Sequence, residues 1–173
     1  MNEKISSVKV IKFVEENQKK FYRMAFSYMK NEADALDIVH DTVVKILQNC
    51  ERVKKPEYFE TWAYRILINE CLMALRKQKK QVVVADIEET DGISNMPQSE
   101  EAMEKQIEYM DLYHALDQLS PKLKTVVLLR FFEDMKLNTI AEITGDNLNT
   151  VKARLYKALK LMKLDLEVTD EDK

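Results

Sequence analysis

Two glycines and three prolines in 173 residues leave this chain few ways to turn tightly. That scarcity constrains its fold more than any motif does. Sheet architectures rest on frequent turns made by residues that accept a positive φ or interrupt a ladder, and those residues are nearly absent. Leu, Lys, Glu, Met and Ala are abundant instead, and all favour helices. The reading is therefore all-α. A hydrophobic content of 46% supplies ordinary cores, and this length allows one domain or two small ones.

Charge separates the chain into parts. Residues 1–80 hold 16 Lys and Arg against 11 Asp and Glu and end in the basic run "RKQKK". Residues 81–104, "QVVVADIEETDGISNMPQSEEAME", hold no Lys or Arg and 7 acids, with Gly92 and Pro97 near the middle. Such composition does not readily build a core and reads as a flexible acidic linker; its opening "QVVVADI" suits either a short strand or a docking segment. A second helical block follows over 105–167, then a frayed acidic tail over 168–173. No repeat appears at periods of 20 to 50 residues. The expected organisation is two small helical domains on a tether.

Apolar spacing locates the helices of the first block. Val10, Phe13, Val14, Phe21, Met24, Ala25 and Tyr28 recur at helical intervals until Asn31. Glu32 and Asp34 then suit the N-terminus of a second helix, whose apolar side carries Ala35, Ile38, Val39, Thr42, Val43, Ile46 and Leu47. Pro56 opens a third. Its stripe is Phe59, Ala63, Ile66, Leu67, Cys71, Ala74 and Leu75, and it runs out in Arg76, Lys77, Lys79 and Lys80.

Some polar and aromatic residues remain unexplained by these cores. Asp37, His40, Asp41 and Lys45 recur three or four residues apart on an exposed face of the second helix, which by itself reads as a solvated surface. A metal site there is disfavoured, because a lone His among acids has no second His or Cys at ligand spacing. Asn69 interrupts the apolar "RILINECL", while Trp62 and Tyr64 stand near the basic "RVKK". Aromatics beside cations stack unpaired bases, and they are equally common as core residues.

The C-terminal block is more specific. In "MKLNTIAEITGDNLNTVKARLYKALKLMK", Ile140, Ala141 and Ile143 mark a short helix, Gly145 a turn, and the rest a longer helix. That is the spacing of a helix-turn-helix. Val151, Leu155, Ala158 and Met162 share the buried face of the second helix, which leaves Asn149, Ala153, Tyr156, Lys157 and Lys160 opposite, with Lys152 at the edge. Cations for phosphates and an aromatic for base edges suit a helix in the major groove.

Other functions find less support. Cys50 and Cys71 form no CxxC, and they are expected to be reduced thiols. No apolar run approaches the roughly 18 residues of a membrane span, and "MNEKISSVKVIKF" lacks the apolar core of a signal peptide, so a cytoplasmic location is expected. Two His, no Gly-rich phosphate loop and no nucleophile beside a base argue against an enzyme and against a small-molecule substrate or cofactor. A stand-alone helix-turn-helix regulator, with the first block for sensing or dimerisation, is the alternative reading.

The ordered set of segments resembles a known family. "FYRMAFSYMKNEADALDIVHDTVVKIL" and "FETWAYRILINECLMALRKQKK" resemble the region 2 helical bundle of a bacterial RNA polymerase sigma factor of the sigma-70 family, extracytoplasmic-function group. "ALDQLSPKLKTVVLLRFFEDMKLNTIAEITGDNLNTVKARLYKALKLMK" resembles region 4, the helix-turn-helix. The match covers most of residues 10–163 and implies a non-enzymatic subunit that binds core polymerase through its β′ coiled coil and β, and directs it to promoter DNA. It also implies an anti-sigma factor, often membrane-anchored.

The resemblance assigns residues. Asp37, His40, Asp41 and Lys45 would meet the polymerase; the family usually has Gln-Glu at His40-Asp41 and commonly Glu at Leu36. The loop from Asn49 to Glu60 would capture a base flipped from the −10 element, with Asn69 in the pocket and Tyr58, Phe59, Trp62, Arg76, Lys77, Lys79 and Lys80 contributing. Thr150, Lys152, Ala153, Arg154, Tyr156 and Lys157 match positions at or near the −35 element, beside Asn149 and Lys160 on the same helix. The family often has Ser at Ala153 and Arg at Leu159, which implies an altered −35 preference.

Overall fold

The computed structural model describes residues 5–82 and 112–162, and in them every regular element is a helix. The rest of the expected linker, "QVVVADI" beyond its first two residues, and the acidic tail lie outside the described residues. The chain divides into two compact units, residues 1–92 and 93–173.

The first unit is a three-helix bundle of α1 (Ser7–Met29), α2 (Glu32–Asn49) and α3 (Phe59–Val82), each packed on the other two. Helix α1 ends where Lys30 turns left-handed at φ 59°, its N–H bonding the Phe26 carbonyl at 2.8 Å. Asn31 then caps α2, its side-chain oxygen accepting from the Asp34 N–H at 2.8 Å. Asp34 in turn accepts from Asn31 at 2.6 Å and from Gln78 of α3 at 3.0 Å, which ties the start of α2 to the far end of α3. Two short 3₁₀ turns, Cys50–Arg52 and Pro56–Tyr58, lead into α3. That helix continues to Val82 and so takes in the first two residues of the expected linker.

Aromatic rings hold this bundle. Phe21 and Tyr64 are buried and meet edge to face at 5.3 Å between centroids; Phe13 stands edge-on to Phe21 at 6.1 Å and to Phe59 at 5.1 Å. Such pairs contribute about 0.5–1.5 kcal/mol each beyond the area they bury. The expected stripes need correction: Phe13, Val39 and Val43 are half-buried. Tyr64 and Ile68 join the core of α3 while Ile66, Ala74 and Leu75 are only half-buried, and Leu47 is exposed rather than inward. Tyr64 and Ile68 are buried because α3 packs on α1 and α2 together, so its buried face is wider than one stripe.

In the second unit a helical stretch over 112–117 precedes α4 (Pro121–Val127), a π turn (Leu128–Phe132), α5 (Leu137–Thr144) and α6 (Leu148–Met162). Val126, Ile140 and Val151 are wholly buried at its centre. Leu123, Val127, Leu128 and Leu129 complete the inner side of the α4 segment, and α6 packs on both α4 and α5.

Thr42 sits in the bundle core with no exposed surface, and its hydroxyl has no hydrogen-bond partner among the described residues. Thr42→Val removes that unsatisfied oxygen while keeping the shape, and is expected to leave stability unchanged or raise it by about 1 kcal/mol. Urea unfolding measures this, and a loss above about 1 kcal/mol would contradict an orphaned hydroxyl.

Candidate nucleic-acid interface

The turn between α5 and α6 sets the direction of α6. Gly145 takes φ 74° and ends α5, with its own N–H and that of Asp146 both on the Ala141 carbonyl at 2.9 and 3.1 Å. Asn147 caps α6 through its side-chain oxygen, which accepts from the Thr150 N–H at 2.8 Å. Val151, Leu155, Ala158 and Met162 then face inward as expected. Leu159 is buried with them at 7% exposure, so the residue at this position packs in the core and is not offered to a ligand.

Asn149, Ala153, Tyr156, Lys157 and Lys160 are exposed together on the outer face of α6, while Thr150 and Lys152 are half-buried at its margins. No acid occurs on this helix. Arg154 departs from the set. Its guanidinium forms an ion pair with the Asp146 carboxylate in the turn, and its side chain is only 21% exposed.

Helix α3 presents a second face. Trp62, Arg65, Asn69, Met73, Arg76 and Lys80 recur every three or four residues along one side. Asn69, Met73, Arg76 and Lys80 are exposed, and Trp62 is half-buried against Phe59 at 5.7 Å. Arg65 was absent from the expected set, although its spacing from Asn69 was a sufficient signal; Met73 also lines the groove between α2 and α3. Before α3, Tyr58 is 48% exposed, with the Lys55 ammonium 5.8 Å from its ring centre. Phe59 is different: 8% exposed and enclosed by Phe13 and Trp62, it is a core residue with no free ring face for a base.

Between α2 and α3 runs a groove of about 510 Å³ lined by Asp34, Asp37, Asp41, Glu70, Lys77 and Gln78 among others. It brings Asp37 and Asp41 together, and it draws Lys77 away from the Asn69 face. His40 is exposed but does not line this groove. Lys45 is paired with Glu70 of α3, so its charge joins two helices. On the other side of α2, Leu36 and Val39 line a separate groove with Tyr22, Lys19 and Arg23 of α1.

Burial pushes the Cys71 thiol well above its ordinary pKa, the Glu70 charge adds to the shift, and Cys71 stays a neutral packed residue. Cys50 is half-buried and donates to the Leu47 carbonyl at 3.5 Å. Among the described residues no three His, Cys, Asp or Glu side chains gather as a metal site, and no helix is long and apolar enough to cross a membrane.

A helix-turn-helix with an acid-free outer face, carried with a three-helix bundle whose long helix ends in exposed cations, is an arrangement suited to binding nucleic acid. Residues 13–81 match the family model of sigma-70 region 2, and residues 109–162 match that of sigma-70 region 4. The chain belongs to the sigma-70 family of RNA polymerase sigma factors, within the extracytoplasmic-function group. Bacillus subtilis (strain 168) SigV, an RNA polymerase sigma factor, is 47% identical over 92% of this chain and 90% of that protein. The ECF sigma factor SigW of the same organism is 24% identical over 85% of this chain and 83% of that protein. The solved structure of the sigma factor RpoE in complex with the anti-sigma factor NepR from Bartonella quintana shares the fold. Its TM-score is 0.71 at 23% identity, over 90% of this chain and 99% of that one. The protein is thus a transcription initiation factor, and the stand-alone regulator reading is not favoured.

An added Cβ at Gly145 meets no atom within 4 Å, so the cost of a side chain there is conformational. Gly145→Ala is expected to destabilise the second unit by about 1–2 kcal/mol through its left-handed φ alone. Thermal unfolding followed by circular dichroism tests this, and an unchanged midpoint would contradict it.

Proposed function

We propose that this sigma factor places core RNA polymerase on promoters through two DNA-reading helices and one acidic docking groove. The observation that carries the reading is the outer face of α6, where Asn149, Ala153, Tyr156, Lys157 and Lys160 are exposed together with no acid among them. In the −35 major groove, Lys157 and Lys160 neutralise phosphates while Asn149 and Tyr156 approach base edges; Thr150 and Lys152 flank them. Ala153 keeps the helix close to the groove floor without adding a hydrogen-bonding group.

Helix α3 handles the −10 element. Tyr58 and Trp62 stack an unpaired base, Asn69 bonds its edge, and Arg76, Lys79 and Lys80 follow the backbone. Stacking contributes about 1–3 kcal/mol per base, which offsets part of the cost of leaving the duplex. The Asp37 and Asp41 groove receives a basic surface of the polymerase, the β′ coiled coil, with His40 at its margin and β also in contact. Residues 1–80 and 105–167 act as separate modules, and the acidic segment over 81–104 imitates nucleic acid in a basic channel. Catalysis belongs to the polymerase. An anti-sigma factor, membrane-anchored in the cell, restrains this cytoplasmic protein.

Lys157→Ala is expected to weaken promoter binding of the reconstituted holoenzyme by about tenfold and to lower its salt slope by about 1, with core binding intact. Lost core binding would contradict the division of labour. Asn69→Ala is expected to reduce permanganate-reactive thymines at the −10 element with core assembly unchanged; full reactivity would remove Asn69 from the melting pocket.

A further inference from the structure

Asp146 is the only acid between Gly145 and Lys163, and it stands beside the first turn of the helix assigned to DNA. Its backbone is fixed, because its N–H bonds the Ala141 carbonyl at 3.1 Å while Asn147, the next residue, caps α6. An uncompensated carboxylate there would repel any phosphate approaching that turn. The structure supplies the compensation internally. Arg154, two turns along α6, reaches back to Asp146, and both side chains are largely shielded, at 21% and 25% exposure. Arg154 also sits to one side of the outward group Asn149, Ala153, Tyr156, Lys157 and Lys160, all of which are more exposed.

We propose that Arg154 is a positioning residue that neutralises Asp146 and clamps the turn to α6, and that it is not itself a DNA contact. This rests on the reading of α6 as the −35 helix. The pair adds no net charge at the surface, so it contributes nothing to the release of counterions when DNA binds. It also restrains the turn that aims α6, since the guanidinium joins the loop to the second turn of the helix. The cation count of the stretch therefore overstates the charge presented to DNA: Lys157 and Lys160 act outward, while Arg154 acts inward.

The test uses holoenzyme reconstituted with core polymerase and duplexes carrying the −35 sequence that wild type selects from a randomised pool, against scrambled duplexes. Arg154→Gln is expected to weaken specific binding at least about fivefold, because Asp146 is left unpaired. The double variant Arg154→Gln with Asp146→Asn is expected to return within about twofold of wild type, with an unchanged salt slope, since a neutral pair replaces a neutralised one. Arg154→Lys, which keeps the charge, is expected to retain at least about half the affinity. Circular dichroism melts of each variant separate misfolding from lost binding. A double variant as weak as Arg154→Gln, with a slope reduced by about 1, would overturn the proposal and make Arg154 a phosphate contact. Equal binding by Arg154→Gln and wild type would overturn it as well, showing the pair to be idle. If wild type does not distinguish selected from scrambled duplexes, the −35 reading of α6 falls together with this one; if it does and only the double variant fails to recover, the pair's role falls alone.

Discussion

The edge-to-face contact of Phe21 with Tyr64 pins α1 against α3 and sets which side of α3 faces outward. Both rings are buried, and Phe13 continues the chain of contacts to Phe59. With that side of α3 held inward, Trp62, Arg65, Asn69, Arg76 and Lys80 share the opposite side by helical geometry alone. Packing thus decides which polar residues can meet a ligand. The same logic removes Phe59 from that set, since its ring completes the core.

The second unit uses backbone geometry for the same purpose. A left-handed Gly145, a capping Asn147 and an ion pair from Asp146 to Arg154 fix how α6 leaves the turn. Buried Val151, Leu155, Ala158, Leu159 and Met162 then anchor one side, and Tyr156 and Lys157 stand on the other. A formal net charge of −3 does not conflict with DNA recognition here. Acids line the groove between α2 and α3, whereas the outer faces of α3 and α6 carry exposed cations. A factor delivered to DNA by polymerase has no need of overall positive charge.

Much of this was readable from residue order because amphipathic spacing is a local property. The helices and the inner face of α6 follow from intervals of three and four residues, and the Pro56 entry and the Gly145 turn from the backbone preferences of those residue types. What escaped depended on partners distant in sequence. Lys45 looked like a surface cation, and only the fold reveals Glu70 beside it. The resemblance gave Arg154 a place at or near DNA, and the fold shows its ion pair with Asp146 across the turn. Leu159 sat one position off the simple apolar stripe, and the π turn Leu128–Phe132 has no clear signal in a run that reads as continuous helix. Lys77 and Asn69 are eight residues apart on one helix, yet only Lys77 lines the groove that α2 forms against α3.

A sigma factor of this group directs polymerase to promoters through a −10 and a −35 element. In vitro transcription with purified core polymerase and this protein measures that directly. Transcripts are expected from a defined start that need both the protein and core, and that disappear when either the −35 or the −10 element is scrambled. No binding to core and no promoter-dependent transcript, together with tight binding of a palindromic site by the free protein, would contradict it.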